Sequence, residues 1–228
     1  FEAGSQLESI GQRAFADDSA LLELTIPANV TSIGSRLIYN SGVTTIRFLG
    51  TRSAWNAIDK ADNWNYGNTD VEVICSDDSS TSEPTEPTEP TEPEPTEPEP
   101  TSTLVYELNE AQTGYIVTGD NGQSERIVIP SKHNDLPVVQ IANDAFAYSV
   151  HRSNITYVFI PDSVTEIGRN AFYSRQSDLV TVEIGQNSQL QKIGANAFSG
   201  ARLLESIYIP ASVTEIGDSA FNNCGSLE

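Results

Sequence analysis

The chain has 228 residues and a formal charge of −20, because 32 Asp and Glu outnumber 12 Lys and Arg. So much negative charge repels phosphate backbones and anionic lipids, so we expect no nucleic acid partner and no binding to an anionic membrane surface. No apolar run reaches the roughly 20 residues needed to cross a bilayer. The two cysteines, Cys75 and Cys224, are too few and too distant in sequence to indicate a disulfide framework or a zinc knuckle.

The first predicted folded segment, residues 1–75, contains two copies of a short repeat. An isoleucine followed by glycine occurs at Ile10 and again, 23 residues later, at Ile33. Between them, the stretch LTIP at 24–27 alternates apolar and polar residues. This alternation predicts a short strand, and proline ends it because proline cannot donate a hydrogen bond to the next strand.

A linker follows at residues 76–103. Its central part, residues 83–100, reads EPTEPTEPTEPEPTEPEP and contains no hydrophobic residue. Proline fixes φ, the glutamates repel one another, and nothing is available to bury, so we predict a disordered linker. In polyproline II it would reach roughly 80–90 Å at ~3.1 Å per residue. Two interpretations remain open, a semi-rigid stalk and a plain solvated tether.

The second predicted folded segment, residues 104–228, begins with a hairpin and continues with the same repeat. Apolar residues alternate over 104–108 and at 115 and 117, which predicts two paired strands. The repeat then returns every 23 to 26 residues, and each copy places a phenylalanine five residues after the core isoleucine. The isoleucines are Ile141, Ile167, Ile193 and Ile216, and the phenylalanines are Phe146, Phe172, Phe198 and Phe221.

A repeat of this length is typical of a solenoid, in which each copy forms one turn and buries its apolar face against its neighbours. We expect glycine to allow a tight turn after each isoleucine. We expect successive phenylalanine rings to stack along the core, in a series that includes Phe15, with Ile38 in the same position once. The length differences between copies fall in loops, where a solenoid tolerates insertions.

The recurring pattern Leu-x-x-Ile-x-Ile-Pro-x-Ser-Val-Thr-x-Ile-Gly-x-x-Ala-Phe resembles the BspA-like leucine-rich repeat. The resemblance implies a right-handed leucine-rich repeat solenoid of short parallel strands, mostly strand and loop. Residues 47–75 resemble the cap that ends such arrays, and residues 104–146 resemble the segment that begins them. The expected order is therefore the last turns of one array, a linker, and the first turns of another. We also expect a fragment of a larger protein, with residues 1–10 and 218–228 lacking neighbours and fraying.

The sequence offers little for catalysis. It has no nucleophile elbow, no zinc-protease motif, no phosphate loop and no Cys-x-x-Cys pair, so we predict no enzyme, no cofactor and no metal. His133 is expected to be a solvated turn residue, and Cys224 a buried hydrophobic residue. The stretch 62–67 resembles a calcium loop only poorly. Trp55 and Trp64 suggest either a cap core or a platform that stacks on sugars.

The predicted recognition surface is the outward side of the longer strands. Aromatic residues at these positions suggest a binding patch, although aromatics also favour strands for packing alone. We call this set the strand face; its predicted binding residues are Tyr157, Phe159, Thr181, Glu183, Ser206 and Tyr208, and Arg126 and Val128 occupy the same two positions one turn earlier.

For function, the resemblance implies a non-catalytic extracellular or cell-surface module, secreted or attached to a bacterial cell wall, that acts in protein binding or adhesion. The expected partner is a protein, such as a host or matrix protein, or a glycan. Two alternatives stay open, a carbohydrate-attachment module of a surface enzyme system and a structural spacer.

Overall fold

The computed structural model describes residues 1, 4–78, 98–122, 124–147, 155–173 and 178–228. They form a parallel β-solenoid of about seven turns, as the repeat predicted. Within the described residues, the secondary structure consists of sixteen strands and one short helix. The strands are β1 (Ser9–Ile10), β2 (Glu23–Ile26), β3 (Ser32–Ile33), β4 (Thr45–Phe48), β5 (Asp59–Lys60), β6 (Glu72–Cys75), β7 (Leu104–Leu108), β8 (Tyr115–Asp120), β9 (Arg126–Val128), β10 (Lys132–His133), β11 (Leu136–Ile141), β12 (Tyr157–Ile160), β13 (Glu166–Ile167), β14 (Thr181–Ile184), β15 (Lys192–Ile193) and β16 (Glu215–Ile216), and the helix is α1 (Arg52–Ala57).

Each turn of the solenoid contributes to two sheets. The longer strands, of which β2 and β12 lead directly into a proline, form two three-stranded parallel sheets, β9–β12–β14 in the second segment and β2–β4–β6 in the first. The strands that contain the core isoleucine form one long sheet with β5 of the cap and the hairpin strands β7 and β8, in the order β5–β3–β1–β16–β15–β13–β11–β8–β7. Within the longer strands, alternate residues such as Leu24 and Ile26 are buried, as the period-two pattern predicted.

The phenylalanines stack into a column through the core. Their ring centroids are 5.1 Å apart for Phe146 and Phe172, 5.4 Å for Phe172 and Phe198, and 5.5 Å for Phe198 and Phe221, with nearly parallel planes. The predicted stacking is therefore confirmed. One aromatic side chain per turn fills the same space in every turn, so the turns keep a constant separation.

The two ends of the stack carry different structures. The hairpin predicted at the start of the second segment is present, with β7 antiparallel to β8 and β8 parallel to β11. At the other end, the hydroxyl of Thr51 caps α1 by accepting a hydrogen bond from the Ala54 amide at 3.2 Å. Trp55 in α1 is buried, and its ring packs 5.4 Å from Phe48 and 5.6 Å from Trp64. The cap-core interpretation of Trp55 is confirmed, and a sugar platform built on this residue is wrong.

The two segments stack on each other, although the sequence placed them in separate arrays. Strand β16 of the second segment pairs in parallel with β1 of the first, with Ile216 opposite Ile10. The expectation that residues 1–10 and 218–228 lack neighbours is therefore wrong for the described residues. In the stack, the first segment follows the second, which reverses their order in the sequence. We call the contact between residues 5–18 and 211–224 the joint.

Most of the predicted linker lies outside the described residues, so its disorder stays a prediction. The described residues next to each end of it contact the solenoid. The Thr101 amide donates to the Val128 carbonyl at 3.0 Å, which extends the edge of β9. At the other end, Asp77 accepts a hydrogen bond from the Arg52 amide at 2.7 Å, and Asp78 pairs with the Arg52 guanidinium. No helix among the described residues is long and apolar enough to cross a membrane.

Candidate binding surfaces

The strand-face residues of β12 and β14 are aligned as the sequence predicted, whereas Ser206 and Tyr208 lie outside the strands of the structure. In the sheet β9–β12–β14, Tyr157 lies between Arg126 and Thr181, and Phe159 lies between Val128 and Glu183. The register follows from burial, because a shift of one residue would turn the buried Val158 and Ile160 to the outside. The alternation of the repeat was therefore sufficient to place these side chains on one side of the sheet.

Tyr157 is fixed between two charged neighbours from the adjacent strands. The Arg126 guanidinium carbon lies 3.6 Å from the centre of the Tyr157 ring, and the Tyr157 hydroxyl donates to Glu183 Oε2 at 2.6 Å. These contacts leave the side chain only 8% exposed, so the predicted full exposure of Tyr157 is wrong. Burial, followed by the hydrogen bond and charge of Glu183, raises the pKa of Tyr157 to about 12.

The remaining aromatic surface comes from Phe159 and Tyr208. Phe159 is half-buried, and Tyr208, two turns further on, is 43% exposed. Glu183, on the turn between them, is exposed, and so is Ser206, whereas Thr181 is half-buried. The strand face thus combines an exposed aromatic ring, a second half-buried ring and a carboxylate whose oxygen is held by the Tyr157 hydroxyl. Such a fixed, amphipathic patch is suited to contact with a protein surface.

The equivalent surface of the first segment is polar. Thr25 and Arg47 pair across β2 and β4, and the Arg47 Nε donates to Glu23 Oε1 at 2.6 Å. Both charged side chains are about half exposed, so the ion pair adds little stability. The aromatic patch is therefore confined to the second segment, in agreement with the weaker signal that the sequence showed for the first.

A second surface was missed by the sequence reasoning. A groove of about 740 Å³ runs along the long sheet, where each two-residue strand presents one polar side chain. Residues of both segments line it, so the groove crosses the joint. The Lys192 ammonium lies 3.1 Å from Glu215 Oε1 within it. The signal was present in the sequence as the polar residue before each core isoleucine, namely Ser9, Ser32, Glu166, Lys192 and Glu215, and Asp59 of β5 continues the row.

The two side chains considered for chemistry, His133 and Cys224, are packed against other residues. The His133 ring stacks on Tyr106 with centroids 3.9 Å apart and meets Tyr115 edge-on, so it packs at the hairpin and is not the solvated turn residue that we expected. Cys224 is buried, as predicted, and burial raises the pKa of its thiol well above the usual value. Among the described residues, no group of three or more His, Cys, Asp and Glu could hold a metal ion.

The repeats are similar to those of known proteins. The BspA type Leucine rich repeat region matches six copies in this chain, within residues 1–59 and 123–228. Among curated proteins, none matches the chain.

Several solved structures are similar to part of the chain. A leucine-rich repeat protein of T. pallidum is 29% identical over 57% of this chain and 68% of its own, with a TM-score of 0.47. A leucine-rich repeat protein of Bacteroides capillosus is 27% identical over 56% of this chain and 96% of its own, with a TM-score of 0.44. A leucine rich cell surface protein of Faecalibacterium prausnitzii is 30% identical over 56% of this chain and 40% of its own, with a TM-score of 0.45.

Proposed function

Because this chain belongs to the BspA-type leucine-rich repeat family, which indicates a protein-binding or structural role, we propose that it is a non-catalytic protein-binding module of a bacterial surface or secreted protein. The partner, in this proposal, is a protein that contacts the strand face. The family membership supports the class of function. The arrangement of Arg126, Tyr157 and Glu183 beside exposed Tyr208 carries the choice of surface.

The strand face has the composition of an interaction hot spot. Tyrosine and arginine are enriched at such sites because they offer large contact areas with polar ends. The hydrogen bond from Tyr157 fixes the Glu183 carboxylate before any partner arrives, which reduces the entropy lost on binding. A partner with an apolar side chain for Tyr208 and Phe159 and a cationic group for Glu183 would complement this surface.

The test is a binding screen of the full chain against extracellular matrix and host surface proteins, with a glycan array beside it. The double variant Phe159→Ser/Tyr208→Ser removes the aromatic surface of the strand face. We expect a protein ligand to bind the unmodified chain and to lose at least tenfold in affinity for the variant, since truncating hot-spot residues costs ~2 kcal/mol or more. The circular dichroism spectrum must be unchanged.

The matched control is Tyr66→Ser, which removes an aromatic ring that is 55% exposed but belongs to the cap of the first segment. It should leave the affinity unchanged. A protein ligand whose affinity is equal for both variants would overturn the assignment to the strand face. Binding to glycans alone would favour a carbohydrate-attachment module, and no binding at all would favour a structural spacer.

A further inference from the structure

The joint has the same construction as every other contact between turns. Phe15 stacks on Phe221 with centroids 5.6 Å apart and planes 11° apart, close to the values within the second segment. Backbone hydrogen bonds also follow the usual pattern, since the Phe221 amide donates to the Ala14 carbonyl at 3.0 Å and the Asn223 amide to the Ala16 carbonyl at 2.8 Å. The joint therefore has the contacts of a covalently continuous solenoid.

The covalent connection across the joint is different from all the others. Neighbouring turns elsewhere are joined directly, so their contacting residues lie some 22 to 32 positions apart in the sequence. Across the joint, the Gln12 amide donates to Asp218 Oδ1 at 2.7 Å, yet these residues are 206 positions apart. The described solenoid holds the two segments together by non-covalent contacts, and the chain connects them only through residues 76–103.

The described residues on the two sides of this connection lie at opposite ends of the stack. Strand β5 and strand β7 are at opposite ends of a nine-strand path, which is roughly 38 Å long at ~4.8 Å per strand. The 28 residues of 76–103 can reach that far, because an extended chain gains ~3.1 Å or more per residue. A joint closed within one chain and a joint closed between two chains make identical contacts, so the reach of the linker selects between them.

We propose that the joint is an exchangeable docking surface whose second possible partner is another copy of this chain. Residues 211–224 of one copy dock on residues 5–18 of the other, in the register Ile216 to Ile10. Two copies that exchange segments reciprocally form a closed dimer of two stacks, each with the strand order of the described residues. This inference is independent of the proposed binding role of the strand face.

One buried acid makes the joint sensitive to pH. Asp18 is fully buried, its Oδ1 accepts the Cys224 amide across the joint at 2.7 Å, and its Oδ2 has no hydrogen-bond partner among the described residues. Two titratable groups interact electrostatically with Asp18. They are the Asp17 carboxylate on the same turn and the Cys224 thiol on the turn across the joint. Arg13 lies nearby but pairs with Asp17. Burial in the joint raises the pKa of Asp18 to about 8, so a closed joint favours the protonated acid.

The test is to delete residues 79–97 from the full chain. The nine linker residues that remain include those that contact the two ends of the stack, and even fully extended they span at most about 32 Å. This is shorter than the stack, which is roughly 38 Å long, so the joint cannot close within one chain. We expect the deletion variant to be a dimer by size-exclusion chromatography with light scattering, while the unmodified chain is a monomer at micromolar concentration. A monomeric deletion variant with the thermal stability of the unmodified chain would overturn the proposal.

Two substitutions separate the joint from general effects on folding. A side chain at Gly11 would lie 2.5 Å from the Asp218 nitrogen, across the joint, so Gly11→Val should convert the dimeric deletion variant to monomers. Gly225 has no atom within 4 Å of such a side chain, so Gly225→Val should leave the dimer intact. Dimers that persist with Gly11→Val, or that dissociate equally with Gly225→Val, would show that another surface is responsible.

Two further measurements keep the proposal testable if the deletion variant fails to fold. In the full chain, Gly11→Val should enlarge the hydrodynamic radius at an unchanged circular dichroism spectrum, whereas an unchanged radius would count against a separable joint. Between about pH 4 and 8, the dissociation constant of the dimeric deletion variant should rise with pH. Each of the two joints should contribute up to about tenfold per pH unit. Asp18→Asn should abolish this dependence, and a dependence that survives the substitution would refute the role of Asp18.

Discussion

The glycine after each core isoleucine is required by the backbone of the neighbouring turn. A side chain on Gly194 would lie 2.7 Å from the Arg169 nitrogen, and one on Gly217 would lie 2.6 Å from the Ala195 nitrogen. Neither glycine has the left-handed φ that only glycine adopts easily. The left-handed residue is instead two positions further on, for example Asn196 with φ 54°. Close approach between turns, and not the tight turn that we expected, therefore explains why glycine recurs.

The phenylalanine column makes a prediction at the same scale. Phe198 is fully buried between Phe172 and Phe221, so Phe198→Ala should lower the free energy of unfolding by about 3–5 kcal/mol through lost contacts and a cavity. Urea unfolding followed by circular dichroism measures this. Phe146→Ala is the matched control, because Phe146 is the first ring of the column and is slightly exposed. An equal or larger loss for Phe146→Ala would contradict the account.

Among the secondary-structure elements, the edge strands need protection because their unpaired backbone groups can pair with another chain. The edge of β9 is covered by residues that the sequence assigned to the linker. The Thr101 hydroxyl accepts the Val128 amide at 2.8 Å and donates to the Arg126 carbonyl at 3.0 Å. The folded structure at this end therefore begins before the predicted boundary at residue 104.

The variant Thr101→Val tests this edge. It keeps the shape of the side chain and removes both hydroxyl hydrogen bonds, so it should cost about 1–3 kcal/mol. The Val128 amide should exchange its hydrogen roughly 5- to 150-fold faster, because each 1.4 kcal/mol corresponds to about tenfold. The control Thr44→Val removes a longer hydroxyl contact, 3.4 Å from the Leu22 carbonyl, in the first segment. Unchanged protection of Val128 in Thr101→Val, or equal loss in the control, would show that Thr101 does not guard the edge.

For the whole molecule, the joint decides whether there is one solenoid or two. The groove and the phenylalanine column are continuous only when the joint is closed, since each contains residues of both segments. The strand face lies entirely within the second segment. Opening the joint would therefore interrupt the groove and leave the aromatic patch of the strand face in place.

The buried acid gives the whole molecule a pH-dependent stability. The pKa of Asp18 is raised from 3.8 to about 8 in the folded state, so the folded chain binds the proton that the unfolded chain has lost across this range. Stability should consequently decrease as pH rises from about 4 to 8, by up to ~1.4 kcal/mol per unit, and this contribution should level off above pH 8. Urea unfolding of the full chain against pH measures the slope.

The control is Asp18→Asn, which cannot ionise and retains an oxygen to accept the Cys224 amide. It should flatten the decrease above pH 5, where the other carboxylates have titrated. If the two proteins showed the same slope between pH 5 and 8, Asp18 would not be the group responsible.

Much of the fold could be predicted from the sequence, because the spacing of the repeat fixes the length of each solenoid turn. The strands, the proline that ends them, the stacked phenylalanines and the opening hairpin are all set by residues within one or two turns of each other. The alignment of the strand face followed for the same reason, since inward residues such as Val158 and Ile160 fix the register. The exposure of Tyr157 did not follow, because it depends on Arg126 and Glu183 reaching across from neighbouring strands.

By itself, the sequence determined that this protein is a solenoid of short parallel strands without a catalytic motif. Only the tertiary structure decided that the two segments share one stack. Each turn can pair with any turn of matching shape, so the local sequence pattern does not identify which turn packs against Ile10. That neighbour, Ile216, lies 206 residues away, and the pairing becomes visible only when both segments are placed in space. The groove that crosses the joint and the burial of Asp18 in the joint both result from this pairing.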